Sequence, residues 1–265
     1  MKNDKVINVY AAGDLHGKAK SVEDFWLRCK LSEKMSASEN VLICLGDFGG
    51  NYYLDGRDKK FKQKLCDLPF TYFVIRGNHE ERPSTCMIAH PENWHTEFYF
   101  NNIVYVENDF PQIKYAIDAP AIYEILGYKT LVLPGAYSID KFYRLQNGWS
   151  WFEKEQMTDE EKEFAVNLCN QANWDVDLVL SHTCPSLFTP TDLFLTFIDQ
   201  STVDKSTEQF LGELEFKLKY HLWLFGHFHA DRVYPNVDGR QVVMLYNKNL
   251  NLEDWMKNPK TANLI

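Results

Sequence analysis

Short apolar runs alternate with longer amphipathic segments over the first 80 residues of the chain. Runs rich in β-branched and aromatic residues at 6–12, 41–45 and 71–75 predict strands. The segments between them, about 18–30 and 58–68, have the apolar spacing of helices. Each strand is followed at once by a turn that contains glycine. Consecutive strand–helix–strand units of this kind predict an α/β fold that begins with a parallel sheet.

The pattern changes beyond residue 100. A glycine at position 127 separates two strand-like runs, which favours a hairpin and antiparallel pairing in this part of the chain. We predict loop insertions, rich in aromatic residues, near 83–101 and 136–157. The strands predicted in this part are 102–106, 121–126 and 129–135.

The last third of the chain returns to alternating elements. Thr158 and Glu161 have the spacing of a capping box, which predicts the start of a helix. The sequence shows no internal repeat and no low-complexity linker, so we predict one domain over residues 1–265. The other elements expected here are strands at 177–182 and 221–227, a helix near 207–219, and a hairpin of 232–237 with 240–246.

The charge and the cysteine content of the chain argue against some classes of function. The formal net charge of −9 argues against a broad phosphate-binding surface of the kind that dominates nonspecific nucleic-acid binding, although it leaves room for a small local site. The one basic run, 57–64, spaces its lysines as on a solvated helix face. No signal peptide or membrane span is apparent, and the six cysteines form no Cys-x-x-Cys pair. We therefore expect a cytoplasmic protein with reduced thiols.

Polar residues follow five of the predicted strands at the point where each apolar run stops. The carboxyl ends of strands in open α/β sheets are where ligands bind, and glycines there let the backbone approach a ligand closely. A single Gly-Asp turn or loop histidine is more typical of ordinary structure, but five complementary blocks in order are not. The five blocks are GDLHG (13–17), GDFGG (46–50), GNHE (77–80), SHTC (181–184) and GHFH (226–229).

These blocks supply seven oxygen or nitrogen donors, which are too many for one small divalent ion. They suit two ions that share one carboxylate, an arrangement used in phosphoryl transfer. No thiolate takes part, so Mn, Fe or Zn are the expected metals. His90, His95 and His221 lie outside the pattern. The predicted metal ligands are Asp14, His16, Asp47, Asn78, His182, His227 and His229.

As a set, the blocks resemble the signature of the calcineurin-like metallophosphoesterases. That signature runs Asp-x-His, Gly-Asp, Gly-Asn-His-Glu, His and Gly-His-x-His, and its counterparts here span positions 13 to 229. The resemblance implies a four-layer αββα sandwich of two mixed sheets flanked by helices. It also implies that Asp14, His16 and His229 hold one ion, that Asn78, His182 and His227 hold the other, and that Asp47 bridges them.

The same resemblance implies a reaction. A hydroxide bridging the two metals would attack a phosphate ester, either a phosphomonoester or a small, nucleotide-type phosphodiester. His79 would carry no metal and would face the substrate, where it protonates the departing oxygen or stabilises the transition state. The expected partner is therefore a phosphate-ester substrate, with neither nucleic acid nor membrane involved.

The sequence departs from one branch of that family. The block after Asp47 reads FGGN and lacks the arginine with which protein phosphatases and related enzymes grip phosphate. Arg144, together with Tyr143, is the candidate replacement, because guanidinium binds phosphate through two parallel hydrogen bonds. An ion pair between Arg144 and a surface carboxylate is the equally weighted alternative. A nuclease and a catalytically silent scaffold of the same fold remain as alternative functions.

Overall fold

A computed structural model describes residues 8–29, 36–194, 196 and 198–265, and these form two mixed β-sheets flanked by helices. The predicted segments 6–12 and 18–30 extend beyond the described residues at 6–7 and at 30. In chain order the strands are β1 (Asn8–Ala12), β2 (Asn40–Leu45), β3 (Thr71–Ile75), β4 (Trp94–Tyr99), β5 (Asn102–Glu107), β6 (Ile113–Ala116), β7 (Ala121–Ile125), β8 (Tyr128–Leu133), β9 (Leu178–Ser181), β10 (Leu222–Phe225), β11 (Arg232–Val233), β12 (Gln241–Met244) and β13 (Asn249–Asn251). The α-helices are α1 (Ala19–Cys29), α2 (Gly56–Cys66), α3 (Pro83–Ala89), α4 (Lys141–Gln146), α5 (Asp159–Gln171), α6 (Ser206–Lys217) and α7 (Leu252–Lys257).

The first sheet has the strand order β13-β1-β2-β3-β6-β5-β4. Strands β1, β2, β3 and β6 run parallel, which confirms the parallel start predicted from the strand–helix alternation. Strands β4, β5 and β13 pair antiparallel with their neighbours and lie toward the two edges. The carboxyl ends of β1, β2 and β3 therefore reach the same edge of this sheet.

The second sheet has the order β11-β12-β10-β9-β8-β7, in which β8, β9, β10 and β12 run parallel. The hairpin predicted around Gly127 joins β7 and β8. Leu126 and Gly127 have φ values of 54° and 81°, as the twist of a two-residue hairpin requires. Asp238 and Gly239, at φ 51° and 82°, turn the chain between β11 and β12 in the same way.

The main core lies between the two sheets. Alternate residues of β2 show how: Val41, Ile43 and Leu45 pack in this inner core, whereas Leu42 and Cys44 face the helices outside. Every residue of β2 is buried, because both faces of a parallel strand are covered. The sequence accordingly shows an unbroken apolar run there instead of strict alternation.

Helices cover the outer face of each sheet and complete the four layers. Val22 and Phe25 of α1 pack with Phe61 and Leu65 of α2 on the first sheet. On the second sheet, α5 and α6 contribute a similar apolar face. Helix α5 begins with the predicted capping box, in which Thr158 accepts from the Glu161 backbone and Glu161 accepts from the Thr158 backbone. The fold is therefore the αββα sandwich that the sequence resemblance implied.

Two segments differ from the expectation of loop insertions. Residues 83–101 contain α3 and the edge strand β4, and residues 136–157 contain α4. Strand β4 pairs on one side only, with β5, and most of its side chains are at least partly exposed. Phe98 is 71% exposed although it lies in an aromatic-rich run. An edge strand with little burial lacks the clear apolar alternation by which strands are predicted from sequence.

The basic run 57–64 is not fully solvated. Helix α2 presents Lys59, Lys60 and Lys64 to solvent, but Lys62 is only 4% exposed and forms an ion pair with Glu107 of β5. The expectation of a uniformly solvated lysine face is wrong at this position. Lys62 points inward because it lies four residues after Asp58 and three before Leu65, which are both buried on the same face of the helix.

Two expectations from the sequence concern membrane-spanning helices and the cysteine thiols. None of the helices within the described ranges is both long and apolar enough to cross a bilayer. All six cysteines are free thiols in the structure, and Cys44 is buried in β2.

Candidate metal centre

The turns that follow β1, β2, β3, β9 and β10 meet at one edge of the sandwich. Four of the predicted ligands in these turns have left-handed backbone conformations, which non-glycine residues rarely adopt and which cost free energy. Strain of this kind persists where the surrounding structure imposes it, and it clusters at functional sites. The four are His16 (φ 47°), Asp47 (φ 45°), His227 (φ 69°) and His229 (φ 51°).

Two glycines allow the turns to approach one another. A Cβ on Gly46 would lie 2.1 Å from Nδ1 of His182, and a Cβ on Gly77 would lie 2.1 Å from Oδ1 of Asp47. Neither space can hold a methyl group, so the glycines before Asp47 and Asn78 are required by packing against the site. This gives a physical reason for glycine at two positions of the sequence motif.

The first group of donors comprises Asp14, His16 and His229. One ligand atom from each lies within 4.8 Å of the other two. The Nε2 atoms of the two histidines are 2.8 Å apart, and the buried carboxylate of Asp14 accepts from the backbone N–H of His227 at 2.9 Å. Three donors from both sheets thus converge on one point.

The second group is built around His182, which is fully buried. Its Nδ1 donates to the carbonyl of Leu45 at 2.7 Å, so the neutral ring carries its lone pair on Nε2. That nitrogen lies 2.8 Å from Oδ1 of Asn78 and 3.4 Å from Oδ1 of Asp47. Nε2 of His182 and Oδ1 of Asn78 thus face each other without a proton between them, which is the arrangement that a cation resolves. The Asp47 carboxylate lies beside them, and its Oδ1 accepts from the backbone N–H groups of Asn78 and His79.

Hydrogen bonds from the 136–157 segment determine the orientation of the Asn78 amide. The Ser138 hydroxyl donates to Oε2 of Glu155 at 2.5 Å, and Trp151 Nε1 donates to the same oxygen at 2.9 Å. The Ser138 oxygen therefore accepts from Nδ2 of Asn78, at 2.8 Å. This leaves Oδ1 of Asn78 directed at His182.

The electrostatics of the two buried carboxylates differ. Burial, reinforced by the charge of Asp47, holds the pKa of Asp14 well above its ordinary value. Burial also acts to raise the pKa of Asp47, but the charge of the His79 imidazole and the hydrogen bond from the His79 backbone outweigh it and hold the pKa below the ordinary value. Two neighbouring carboxylates of this kind need compensating positive charge.

The histidines of both groups are held neutral. Burial lowers the pKa of His16 to about 4 despite the nearby charge of Asp47, and it also lowers the pKa values of His182 and His229. Neutral imidazole is the form that binds metal. The nitrogen and oxygen donors, the absence of a thiolate among them and the opposed lone pairs around His182 all fit divalent cations.

The position of His227 indicates a role as metal ligand less clearly than the positions of the other predicted ligands do. Its ring contacts that of His182, with centroids 5.0 Å apart, and burial holds its pKa well below the ordinary value. Within the described residues its ring nitrogens belong to none of the groups of three convergent donors. The structure thus brings His227 to the site, while six other donors converge more closely.

Comparison with known proteins identifies the family of this chain. The family model described as calcineurin-like phosphoesterase matches residues 7–231. The chain belongs to this family. A search of curated proteins gave no match.

Solved structures share the fold at low sequence identity. The TT1561 protein of Thermus thermophilus is 13% identical, with a TM-score of 0.53 and coverage of 94% of this chain and 96% of that chain. A dimetal phosphatase from Danio rerio is 9% identical, with a TM-score of 0.50 and coverage of 93% of each chain. These similarities concern the fold alone.

Beside the metal-ligand groups, this calcineurin-like phosphoesterase has a pocket of about 210 Å³. His79 lies in its wall, with Nδ1 3.3 Å from Oδ2 of Asp47 and Nε2 3.6 Å from Oδ1 of Asp140. Burial acts to lower the pKa of His79, but the charges of Asp47 and Asp140 outweigh it and raise the pKa. The pocket is lined by His16, Gly17, Asp47, Gly49, Tyr52, Tyr53, His79 and Arg144.

Arg144 reaches this pocket from α4, some 65 residues beyond His79 in the chain. Its Nη2 lies 3.1 Å from Nδ1 of His79, its Nε donates to Asp140 at 2.7 Å, and its Nη1 donates to the Tyr52 hydroxyl at 3.1 Å. The guanidinium is therefore held in place at the pocket by three side chains. The ion pair with Asp140, which the alternative interpretation foresaw, is present at the same time.

Tyr143 does not line the pocket. It is 56% exposed, and its ring packs edge-on against Trp149 with centroids 5.4 Å apart. Tyr143 and Arg144 are adjacent on a helix, so they cannot face the same side. Tyr52 and Tyr53, in the segment after β2, supply the tyrosines of the pocket instead.

Sequence reasoning missed Asp140, Ser138 and Glu155. Asp140 stands four residues before Arg144, a spacing that brings side chains together on a helix and could have indicated the pair. Ser138 and Glu155 are 17 residues apart and belong to no motif. Their contact arises from the path of the segment between them.

Two arginines near the site have structural roles. Arg76 is buried and donates to the carbonyl oxygens of Lys154 and Glu155, at 3.3 Å and 2.6 Å. Arg82 donates to Lys154 and forms an ion pair with Glu161. Both therefore anchor the end of the 136–157 segment beneath the pocket.

Proposed function

We propose that this protein is a metal-dependent hydrolase of phosphate esters, with a phosphomonoester or a small, nucleotide-type phosphodiester as its substrate. The observation that supports it most is the contact of His182 Nε2 with Asn78 Oδ1 without an intervening proton, beside the buried carboxylate of Asp47. Beside it lie a second donor group and a pocket that presents a guanidinium. Membership of the phosphoesterase family agrees with this activity.

In this proposal two divalent ions, Mn, Fe or Zn, occupy the centre. Asp14, His16 and His229 would hold one of them, and Asp47 would be shared. When bound, the ions would supply Lewis acidity to the phosphoryl oxygens and lower the pKa of water. Asn78, His182 and His227 would hold the other ion.

His79 would hold a proton at the pocket. Its Nδ1 has two competing neighbours, the Arg144 guanidinium and the Asp47 carboxylate, whereas its Nε2 faces Asp140. In the charged ring, the Nδ1 proton faces the Asp47 carboxylate and the Nε2 proton faces Asp140. The Nε2 proton would pass to the departing oxygen and leave a neutral ring, whose Nδ1 can then accept from Arg144. Asp140 would orient the ring and stabilise its charged form.

Arg144 would bind the phosphate group. The guanidinium is already oriented by Asp140 and Tyr52, so little conformational entropy is lost when a phosphate arrives. Its position beside His79 would place a bound phosphate between the guanidinium and the metal-ligand groups. The role of the missing arginine after Asp47 would thus be taken by a residue from another part of the chain.

The test pairs elemental analysis of the purified protein with hydrolysis of two chromogenic substrates, a phosphomonoester and a phosphodiester. We expect two metal ions per chain and turnover of at least one substrate. Asp47→Asn should lose most bound metal and most turnover, because the shared carboxylate serves both ions. Asp118→Asn, which alters a buried carboxylate of the fold outside the donor groups, is the matched control.

Full metal content without turnover on any phosphate ester would favour the catalytically silent scaffold. Turnover that survives in Asp47→Asn at full metal content would contradict the proposed centre. Preference for one of the two substrates separates phosphatase from phosphodiesterase activity.

A further inference from the structure

A basic groove lies beside the candidate metal centre in an otherwise acidic protein. It runs between α1 and α2, which pack against each other, and has a volume of about 730 Å³. Five basic and two acidic side chains line it. The lining includes Gly17, Lys18, Lys20, Arg57, Lys60 and Lys64. The chain as a whole carries a formal charge of −9, so this local excess of positive charge is opposite in sign to the net charge.

Three of the lysines carry charge that neighbouring acids leave uncompensated. Lys20 is paired with Glu23 and Asp24, at 3.1 Å and 3.0 Å. Among the residues that the structure describes, Lys18, Lys60 and Lys64 have no carboxylate within 4.0 Å, and all three are exposed. Their charges are available to an anionic ligand.

The groove continues directly from the pocket of the metal centre. Gly17 lines both, and Tyr53, which lines the pocket, lies beneath the guanidinium of Arg57, which lines the groove, at 3.6 Å. Tyr53 is 45% exposed, so part of its surface is open to a ligand. Both helices begin at this end, where their amino termini add partial positive charge.

We propose that this groove binds the phosphates of a short single strand of nucleic acid whose scissile phosphate lies at the metal centre. This inference rests on the proposed hydrolysis of phosphodiesters and extends the substrate class from small phosphodiesters to a short strand, which the sequence alone did not favour. Separated cations along a groove, together with an exposed aromatic ring, are the features with which proteins bind single strands. Helix α2, with 11 residues, extends for about 16 Å, which accommodates a few nucleotides and not a long duplex.

The acidic net charge does not oppose this assignment. It argues against a broad nonspecific surface, whereas the groove is short and confined to two helices. Three phosphate contacts predict a slope of about −2 for the logarithm of the association constant against the logarithm of salt concentration. Affinity should therefore fall about twentyfold between 50 and 200 mM salt.

The test measures binding by fluorescence anisotropy of a labelled phosphorothioate hexadeoxynucleotide, which resists hydrolysis, to the full chain as purified. Lys60→Gln/Lys64→Gln should weaken binding at 50 mM salt and reduce the salt effect to about threefold, because one contact remains. Lys59→Gln/Lys219→Gln makes the same change in net charge outside the groove and should retain the twentyfold effect. All three proteins should hydrolyse a small chromogenic phosphodiester with equal kcat and KM.

The outcomes separate this inference from the function on which it rests. Absent hexanucleotide binding, or equal loss in the groove and control variants, would overturn the groove assignment even if the small phosphodiester is hydrolysed. Binding that depends on Lys60 and Lys64 in a protein without hydrolysis would keep the groove and overturn the proposed activity.

Discussion

At the scale of single residues, His79 is the side chain whose surroundings point most clearly to proton transfer. It contacts Asp47 and Asp140 and lines the pocket, and their charges raise its pKa against the effect of burial. We expect His79→Ala to retain both metals while kcat falls by about 10²- to 10⁴-fold, the usual contribution of general acid catalysis. Metal content and kcat measured on the same preparation test this. Loss of metal would instead make His79 a ligand.

Arg144 is the residue on which substrate affinity should depend. Arg144→Lys keeps the positive charge but loses the planar fork and its contacts to Asp140 and Tyr52. We expect KM for the chromogenic phosphate ester to rise about tenfold or more, which corresponds to about 1.4 kcal/mol. Tyr143→Phe alters the exposed neighbour and should leave KM unchanged. Equal KM values for wild type and Arg144→Lys would remove Arg144 from the phosphate site.

At the scale of structural elements, the 136–157 segment acts on the metal centre through Glu155. Its carboxylate holds Ser138 and Trp151, and Ser138 orients the amide of Asn78. Glu155→Gln introduces an amide donor into this network, so Asn78 loses its defined orientation. We expect affinity for one of the two metals to fall about 10- to 100-fold, as is usual when a supporting hydrogen bond is removed.

Metal titration of the purified protein measures this effect independently of activity. Glu153→Gln, two residues away and exposed, is the control and should bind both metals as the wild type does. If Glu155→Gln and the control titrate alike, the network has no role in metal binding.

The ion pair of Lys62 with Glu107 joins helix α2 to strand β5 inside the protein. Lys62→Ala leaves the Glu107 carboxylate buried without its partner, which should lower the free energy of unfolding by about 3–5 kcal/mol. Lys62→Met/Glu107→Leu removes both charges and should recover most of that loss. Urea unfolding measures both changes, and Lys59→Ala on the same helix should stay within about 0.5 kcal/mol of wild type.

At the scale of the whole molecule, bound metal should hold the two sheets together at their shared edge. The donors come from both sheets, and the buried carboxylates of Asp14 and Asp47 repel each other without a cation. Each ion at about 100 times its Kd stabilises the native state by about 2.7 kcal/mol, so two ions contribute about 5 kcal/mol. We therefore expect chelation to lower Tm by about 10–20 °C, at about 2–4 °C per kcal/mol. Calorimetry with and without chelator measures it, and Asp47→Asn should show a much smaller shift.

The elements with strong local patterns were predictable. Strands β1, β2 and β3 carry apolar runs because both of their faces are buried, and the α5 capping box is a local hydrogen-bond pattern. Strand β4 was not predicted, because an edge strand buries few of its side chains. The inward turn of Lys62 also escaped prediction, since its partner Glu107 is 45 residues away.

The sequence by itself determined the class of fold, the order of the polar blocks and the donor types, because each of these depends on neighbours within a few residues. A polar residue appears where the apolar run of a strand ends, which is a local feature of the sequence. The residue type at that position directly gives the donor as imidazole, amide or carboxylate. Only the tertiary structure decided which donors converge, that Tyr52 and not Tyr143 lines the pocket, and that Glu155 orients Asn78. Such contacts join residues far apart in the chain, and their geometry follows from how the two sheets and the 136–157 segment pack together.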